Sequence, residues 1–328
     1  MIYKLLPTRV YRAYLGGEHL DALQKKEAPS VSRFPEDWLG SVTLAFNPGR
    51  EMPGEGLSLT EDGRTLKELI EQHPQDMIGH RERMSLLFKL LDSSERLVIQ
   101  AHPTVDFAKT HFHSPFGKAE CWYFLGDGGY VYIGFREGVT KEHWQSLFRV
   151  QDTEGMLDCL HRFEVKRGDF IFVNGGVPHA IGAGCFLAEL QEPTDLMVIP
   201  ERTTPSGIRL ADEKMHGGLG FESMFDCFVY EGLDRERTRE SYFKTPRVVD
   251  SGRTVIVDES ITDKFRLDLL CVSGTQLFQS DSYGIALVSE GCGEINGVSL
   301  EQGDRVFIPE HQKELRLRGH MQLLLCRP

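Results

Sequence analysis

Two distant stretches share one short grammar: Arg167-Gly-Asp-Phe-Ile-Phe-Val-Asn174 and Gln302-Gly-Asp-Arg-Val-Phe-Ile-Pro309. In each, a Gly-Asp turn launches an apolar run. One such turn would say little, because Gly-Asp turns are common. Two in the same β-rich setting read as an internal repeat and restrict the chain to a duplicated β module. The surrounding sequence agrees: RLVIQAH, ECWYFLG and YVYIGF between Arg96 and Phe135 are short, β-branched or aromatic, and bounded by Gly or Pro. Beyond residue 245, FRLDLLCV, GIALVSE, GEINGV, DRVFIP and LRLRGHMQLLLC have the same character. The expected fold is mainly β, a jelly-roll with two β-barrel modules and helical insertions.

The insertions show as changes of period. Leu66, Leu69 and Ile70, then Met84, Leu86, Leu87, Phe88, Leu90 and Leu91, are separated by His73-Pro74. They predict a short helix followed by a second helical or buried segment. Trp144, Leu147, Phe148, Met156, Leu157 and Leu160 predict two short helices joined near Asp152 to Gly155. The expected division is a catalytic module from residues 1–60 plus 95–205, with helical insertions at 61–94 and 140–163. A linker or mixed helical segment over 206–245 then leads to a C-terminal module at 246–328. The charged run Asp234 to Ser241 is either a solvated link or an exposed helix face.

The net charge of −12 argues against a nucleic-acid partner, so any anionic substrate must meet a local basic pocket. Seven cysteines, odd in number and never spaced Cys-x-x-Cys, suggest neither a disulfide framework nor a thiolate zinc site. The first residues lack the apolar core of a signal peptide, and no stretch approaches the roughly 20 apolar residues of a membrane span. A cytoplasmic protein with no membrane partner is expected.

In Leu97-Val-Ile-Gln-Ala-His-Pro103, strand alternation puts Gln100 and His102 on one face and Ile99 and Ala101 on the other. Glu120 opens a second strand, and His179 follows Gly175-Gly-Val-Pro178 at a turn. Two imidazoles, a carboxylate and an amide oxygen suit Zn²⁺ or another divalent first-row ion, with room for water or substrate. A lone histidine on an apolar strand is more often a hydrogen-bonded core residue, so it is the joint pattern that carries the argument.

At these motifs the chain resembles the class I mannose-6-phosphate isomerases, zinc cupins. Leu86-Leu-Phe-Lys-Leu-Leu-Asp92, Ile99-Gln-Ala-His-Pro103, Gly117-Lys-Ala-Glu-Cys-Trp-Tyr123 and Pro178-His-Ala-Ile-Gly182 are similar to consecutive family motifs in the family's order. The resemblance implies one Zn²⁺ per chain held by Gln100, His102, Glu120 and His179, with pocket lysines Lys89 and Lys118. It also implies active-site acids at Glu189 and Asp195. The implied reaction interconverts mannose 6-phosphate and fructose 6-phosphate through an enediol, with a small sugar phosphate as partner, on a monomer or homodimer. The alternative is a zinc-binding cupin acting on or sensing a different sugar or sugar phosphate. Lys118, Asp195 or Glu189 could move the proton.

Two departures stand out. Asp195-Leu-Met-Val-Ile199 has isoleucine where the family carries arginine, which leaves Arg202 as the candidate substitute. Val98 stands where the family often has serine. The second module has no equivalent metal site: the offset from Asp169 to His179, applied to Asp304, lands on Glu314, and His311 reads as an exposed turn residue.

Overall fold

The computed structural model describes all 328 residues. A seven-stranded antiparallel sheet forms the middle layer, in the order Phe243–Lys244, Phe170–Val173, Glu120–Phe124, Cys185–Gln191, Leu87–Ser93, Glu36–Leu39 and Arg9–Val10. Alternation sends Trp122, Phe124, Ile171, Val173 and Leu187 to one face. There they meet Val131, Ile133, Phe163 and Ile181 of a three-stranded sheet made of Leu160–Glu164, Tyr130–Phe135 and His179–Ile181. The other face presents Phe88, Leu90, Cys121, Phe170, Phe172, Ala188 and Leu190 to Leu267, Ile285, Leu287, Phe307, Leu324 and Cys326 of an eight-stranded sheet.

The eight-stranded sheet runs Tyr3–Leu5, Arg305–Ile308, Gly284–Ile295, Glu314–Arg327, Arg266–Gln279, Arg253–Val257 and Arg247–Asp250, with Val298–Glu301 beside Gly284–Ile295. It curls about a core of its own residues, among them Leu270, Val272, Val288, Leu317, Leu323 and Leu325. The fold is mainly β, as expected, with the two large sheets left open and packed on one another. GIALVSE and the first half of GEINGV join into the single strand Gly284–Ile295, bent by a register shift between Val288 and Glu290, and Val298 opens the next strand. Two short strands tie the sheets together, one from the N-terminus and one from the segment that links the modules. Tyr3–Leu5 pairs with Arg305–Ile308 in the far sheet, and Phe243–Lys244 pairs with Phe170–Val173 in the middle one.

The repeated Gly-Asp turns superimpose in chemistry. Gly168 and Gly303 have φ of 85° and 90°. Asp169 Oδ2 accepts from the amide of Lys166 at 3.0 Å, and Asp304 Oδ2 from that of Glu301 at 2.8 Å. Each turn feeds a strand, Phe170–Val173 or Arg305–Ile308.

Leu66–Gln72 is a helix with a complete capping box at Thr65 and Glu68, and Pro74–Ile78 is a second short helix. Leu87–Ser93, which reads in sequence as helical or buried, is a strand buried along its whole length. Both of its faces are covered, so no alternation marks it. Thr140 caps Lys141–Val150 and Asp152 caps Thr153–Asp158. These two helices pack Trp144, Phe148, Met156 and Leu157 with Phe225 and Phe228 against Ile99, Ala101, Val198 and Ile199. Burying each large apolar side chain contributes about 1.5–3 kcal/mol, which fixes the extended segment that carries Gln100 and His102. Asp234 caps the helix Arg235–Tyr242, so the charged run is a helix face. No helix is long and apolar enough to cross a membrane.

Candidate metal centre

Gln100 and His179 are paired by reciprocal backbone hydrogen bonds of 2.9 Å each. The stretch carrying Gln100 and His102, expected from alternation as a strand, is extended chain held by isolated bridges, and this pairing sets it beside His179 at the start of the strand His179–Ile181. Each imidazole spends its Nδ1–H on a carbonyl, His102 on Leu196 at 2.9 Å and His179 on Val177 at 2.9 Å. Both Nε2 lone pairs are thereby turned toward Glu120. His102 Nε2 lies 3.1 Å from Glu120 Oε2, and His179 Nε2 lies 3.3 Å from Glu120 Oε1. Trp122 Nε1 donates to Glu120 Oε1 at 3.1 Å and fixes the carboxylate.

The three side chains are buried, and their ligand atoms lie within 4.8 Å of one another. Burial drives the His179 imidazole down to about 3 and lowers His102 as well, so both are neutral. Burial opposes ionisation of Glu120, but the Lys118 ammonium outweighs it and the carboxyl is held well below the usual range. Two neutral nitrogens and a carboxylate oxygen pointing at one another are all acceptors, an arrangement that a cation satisfies. Lys118 Nζ serves part of that need, at 2.7 Å from His102 Nε2 and 2.9 Å from Glu120 Oε2. His179 Nε2 has no hydrogen-bond partner although it is fully buried. The donor set fits a divalent ion. No comparable cluster of His, Cys, Asp and Glu side chains occurs elsewhere, and His311 contacts the N-terminus and the Asp76 carbonyl in an exposed turn. All seven cysteines are free and none joins the centre.

A cavity adjoins this cluster, with Gln100 and Lys118 in its wall. From Lys118 an alternating run of charges follows the wall. Lys118 faces Glu189 at 3.8 Å, Glu189 faces Lys89 at 3.1 Å, and Lys89 faces Glu36 at 3.6 Å. Glu36 accepts from Arg12 at 3.0 Å, and Arg12 grips Asp195 through both terminal nitrogens at 3.1 and 3.0 Å. Lys214 closes the run, 4.0 Å from Asp195. Burial pushes the Glu189 carboxyl up to about 8. Asp195 moves the other way: burial raises it, but Arg12 and Lys214 outweigh that and hold it down. Leu91, Leu97, Val98, Met197, Ile199 and Leu210 make up much of the remaining wall.

Of the residues expected from sequence, Gln100, Lys89, Lys118, Glu189 and Asp195 line the cavity beside His102, Glu120 and His179. Arg202 does not. Its guanidinium pairs with Asp212 at 3.2 Å and lies over the rings of Phe148 and Phe221, outside the wall. Sequence reasoning missed Arg12, Tyr14, Glu36 and Lys214. No spacing announces them, since they come from separate parts of the chain. The one local signal is Glu36-Asp-Trp38, where alternation brings Trp38 Nε1 to Glu36 Oε2 at 2.8 Å.

Residues 16–122 match the family described as phosphomannose isomerase type I, catalytic domain. A mannose-6-phosphate isomerase of Streptococcus mutans is 34% identical over 271 residues, 80% of each chain. ManA, a mannose-6-phosphate isomerase of Bacillus subtilis, is 36% identical over 138 residues, 40% of this chain and 42% of its own. The crystal structure of a Bacillus subtilis mannose 6-phosphate isomerase superimposes with a TM-score of 0.77 at 22% identity, covering 100% of this chain and 99% of that one, which supports the cupin fold. Kinship over four-fifths of the chain, with a buried His–Glu–His cluster beside a charged cavity, makes this protein an aldose–ketose isomerase belonging to the type I mannose-6-phosphate isomerase family.

Proposed function

We propose that the protein interconverts mannose 6-phosphate and fructose 6-phosphate at a zinc ion held by Gln100, His102, Glu120 and His179. The observation that carries this reading is the convergence of two neutral imidazole nitrogens on one carboxylate, with His179 Nε2 otherwise unpartnered. When bound, a divalent ion supplies a Lewis acid beside the sugar carbonyl and charge opposite the enediol as it forms.

The protein's own groups do the rest. Glu189 moves the proton between C2 and C1, because burial raises its carboxyl to about 8, close enough to neutrality to both accept and release a proton. Lys89, at 3.1 Å, and Lys118, at 3.8 Å, orient that carboxyl from two sides. Asp195 is unsuited to the same task, since its bidentate pairing with Arg12 keeps it ionised and immobile. The apolar wall residues exclude water from the enediol. In this reading the sheet of residues 246–328 is a scaffold without chemistry.

A coupled assay with mannose 6-phosphate on zinc-loaded protein checks the proposal. Turnover is expected from the loaded protein, and Glu189→Gln should lower kcat by about 10²- to 10⁴-fold with metal content unchanged. Loaded protein no faster than the chelated form would end the proposal.

A further inference from the structure

We propose that Lys214 receives the phosphate group of the substrate; this inference rests on the sugar-phosphate reading above. A dianion entering the cavity needs a cation whose hydrogen-bonding positions are not already taken by carboxyl groups, and the alternating run leaves one. Lys118 stands between Glu120 and Glu189, Lys89 between Glu189 and Glu36, and Arg12 between Glu36 and Asp195. Each has an acid on both sides. Lys214 ends the run with a single acid neighbour, Asp195, at the long distance of 4.0 Å.

Its other partners are weak competitors for a phosphate. The ammonium donates to the Phe46 carbonyl and sits 5.3 Å from the centre of the Phe46 ring, both uncharged. Exposure points the same way: the Lys214 side chain is 14% exposed, against 6% for Arg12, 5% for Lys89 and 3% for Lys118. Lys214 is therefore the cavity cation nearest water, where a strongly hydrated phosphate loses least on binding. Burial pulls its ammonium down to about 8, the mark of a cation whose surroundings do not saturate it.

The same geometry explains how the pocket works without the arginine that Ile199 replaces. Ile199 and Val98 line the wall without offering a hydrogen bond, and Arg202 is engaged with Asp212 away from it. Lys214 comes from the short helix Asp212–His216, beyond the strand region where the family pattern would seek its anion-binding group.

The test compares zinc-loaded protein with Lys214→Met, Lys214→Arg and Arg202→Met. Inorganic phosphate is titrated calorimetrically, and kinetics are measured with mannose 6-phosphate. Lys214→Met should weaken inorganic phosphate by about 10- to 100-fold, the effect of losing one charge-assisted contact. It should raise KM by a similar factor, with the loss falling mainly on KM, and Lys214→Arg should recover most of it. Arg202→Met should leave both within about twofold. Unchanged phosphate affinity in Lys214→Met, a loss confined to kcat, or a larger effect of Arg202→Met would overturn the assignment. If phosphate binding depends on Lys214 while the unsubstituted protein turns over no mannose 6-phosphate, the substrate reading fails and the lysine's role stands.

Discussion

Glu120 is where the chemistry of single residues is most tightly determined. Its two oxygens face one imidazole nitrogen each, and those nitrogens are fixed as acceptors by carbonyls of Leu196 and Val177 behind the rings. Removing one of these ligands should therefore abolish metal binding rather than weaken it by degrees, because the remaining pair offers too few donors. His102→Ala and Glu120→Ala should each retain less than about a tenth of the metal per folded chain, by atomic absorption after dialysis, a loss greater than mutating an outer-shell partner would bring. His311→Ala should retain all of it. Equal metal content in the three proteins would remove the site assignment. The candidate ligands were legible in sequence because Gln100-Ala-His-Pro103, Glu120-Cys-Trp-Tyr123 and Pro178-His-Ala-Ile-Gly182 jointly resemble the family's motifs, whereas alternation alone links only Gln100 with His102. Arg12, Glu36 and Lys214 were not, because their partnership exists only once separate elements converge, and an isolated Arg, Glu or Lys looks like any solvated charge.

At the scale of the element, the two Gly-Asp turns offer a controlled comparison. Both glycines hold a left-handed φ, which costs a residue with a Cβ roughly 1–2 kcal/mol. They differ in surroundings. A Cβ at Gly168 would meet nothing within 4 Å, whereas one at Gly303 would stand 2.6 Å from the Leu23 carbonyl oxygen. Gly168→Ala should therefore cost about 1–2 kcal/mol in chemical denaturation, the backbone strain alone. Gly303→Ala should cost clearly more, since the backbone of Leu23 must also shift. Equal losses would show that φ, not packing, governs both turns. The repeat was readable because a turn needs particular residues at particular offsets. Leu87–Ser93 was not readable as a strand: with both faces buried it has no polar alternation, and Lys89 and Asp92 sit inside it for the sake of the cavity and the N-terminal loop.

For the molecule as a whole, the decisive feature is that the two modules share a strand and a core. Tyr3–Leu5, too short for any sequence pattern to reveal, completes the C-terminal sheet, and Phe243–Lys244 completes the middle one. The largest apolar core draws on both sheets. Through this interface runs a buried ion pair, Arg305 Nη1 to Asp37 Oδ2 at 2.7 Å, with the side chains 2% and 0% exposed. Asp37 also accepts from the Thr8 amide and from Gln24, each at 2.7 Å, so it anchors the strand that presents Glu36 to the cavity. Arg305→Met should leave Asp37 hydrogen-bonded but without its counter-charge, destabilising the protein by about 3–5 kcal/mol. Arg305→Met combined with Asp37→Asn should recover part of that loss, because the uncompensated charge is gone. Calorimetry should show one thermal transition for every variant, lowered in Arg305→Met and partly restored in the double substitution. A second transition that appears when Arg305 is replaced would mean that the modules fold independently, and that the shared core and the crossing N-terminal strand do not couple the C-terminal sheet to the cavity.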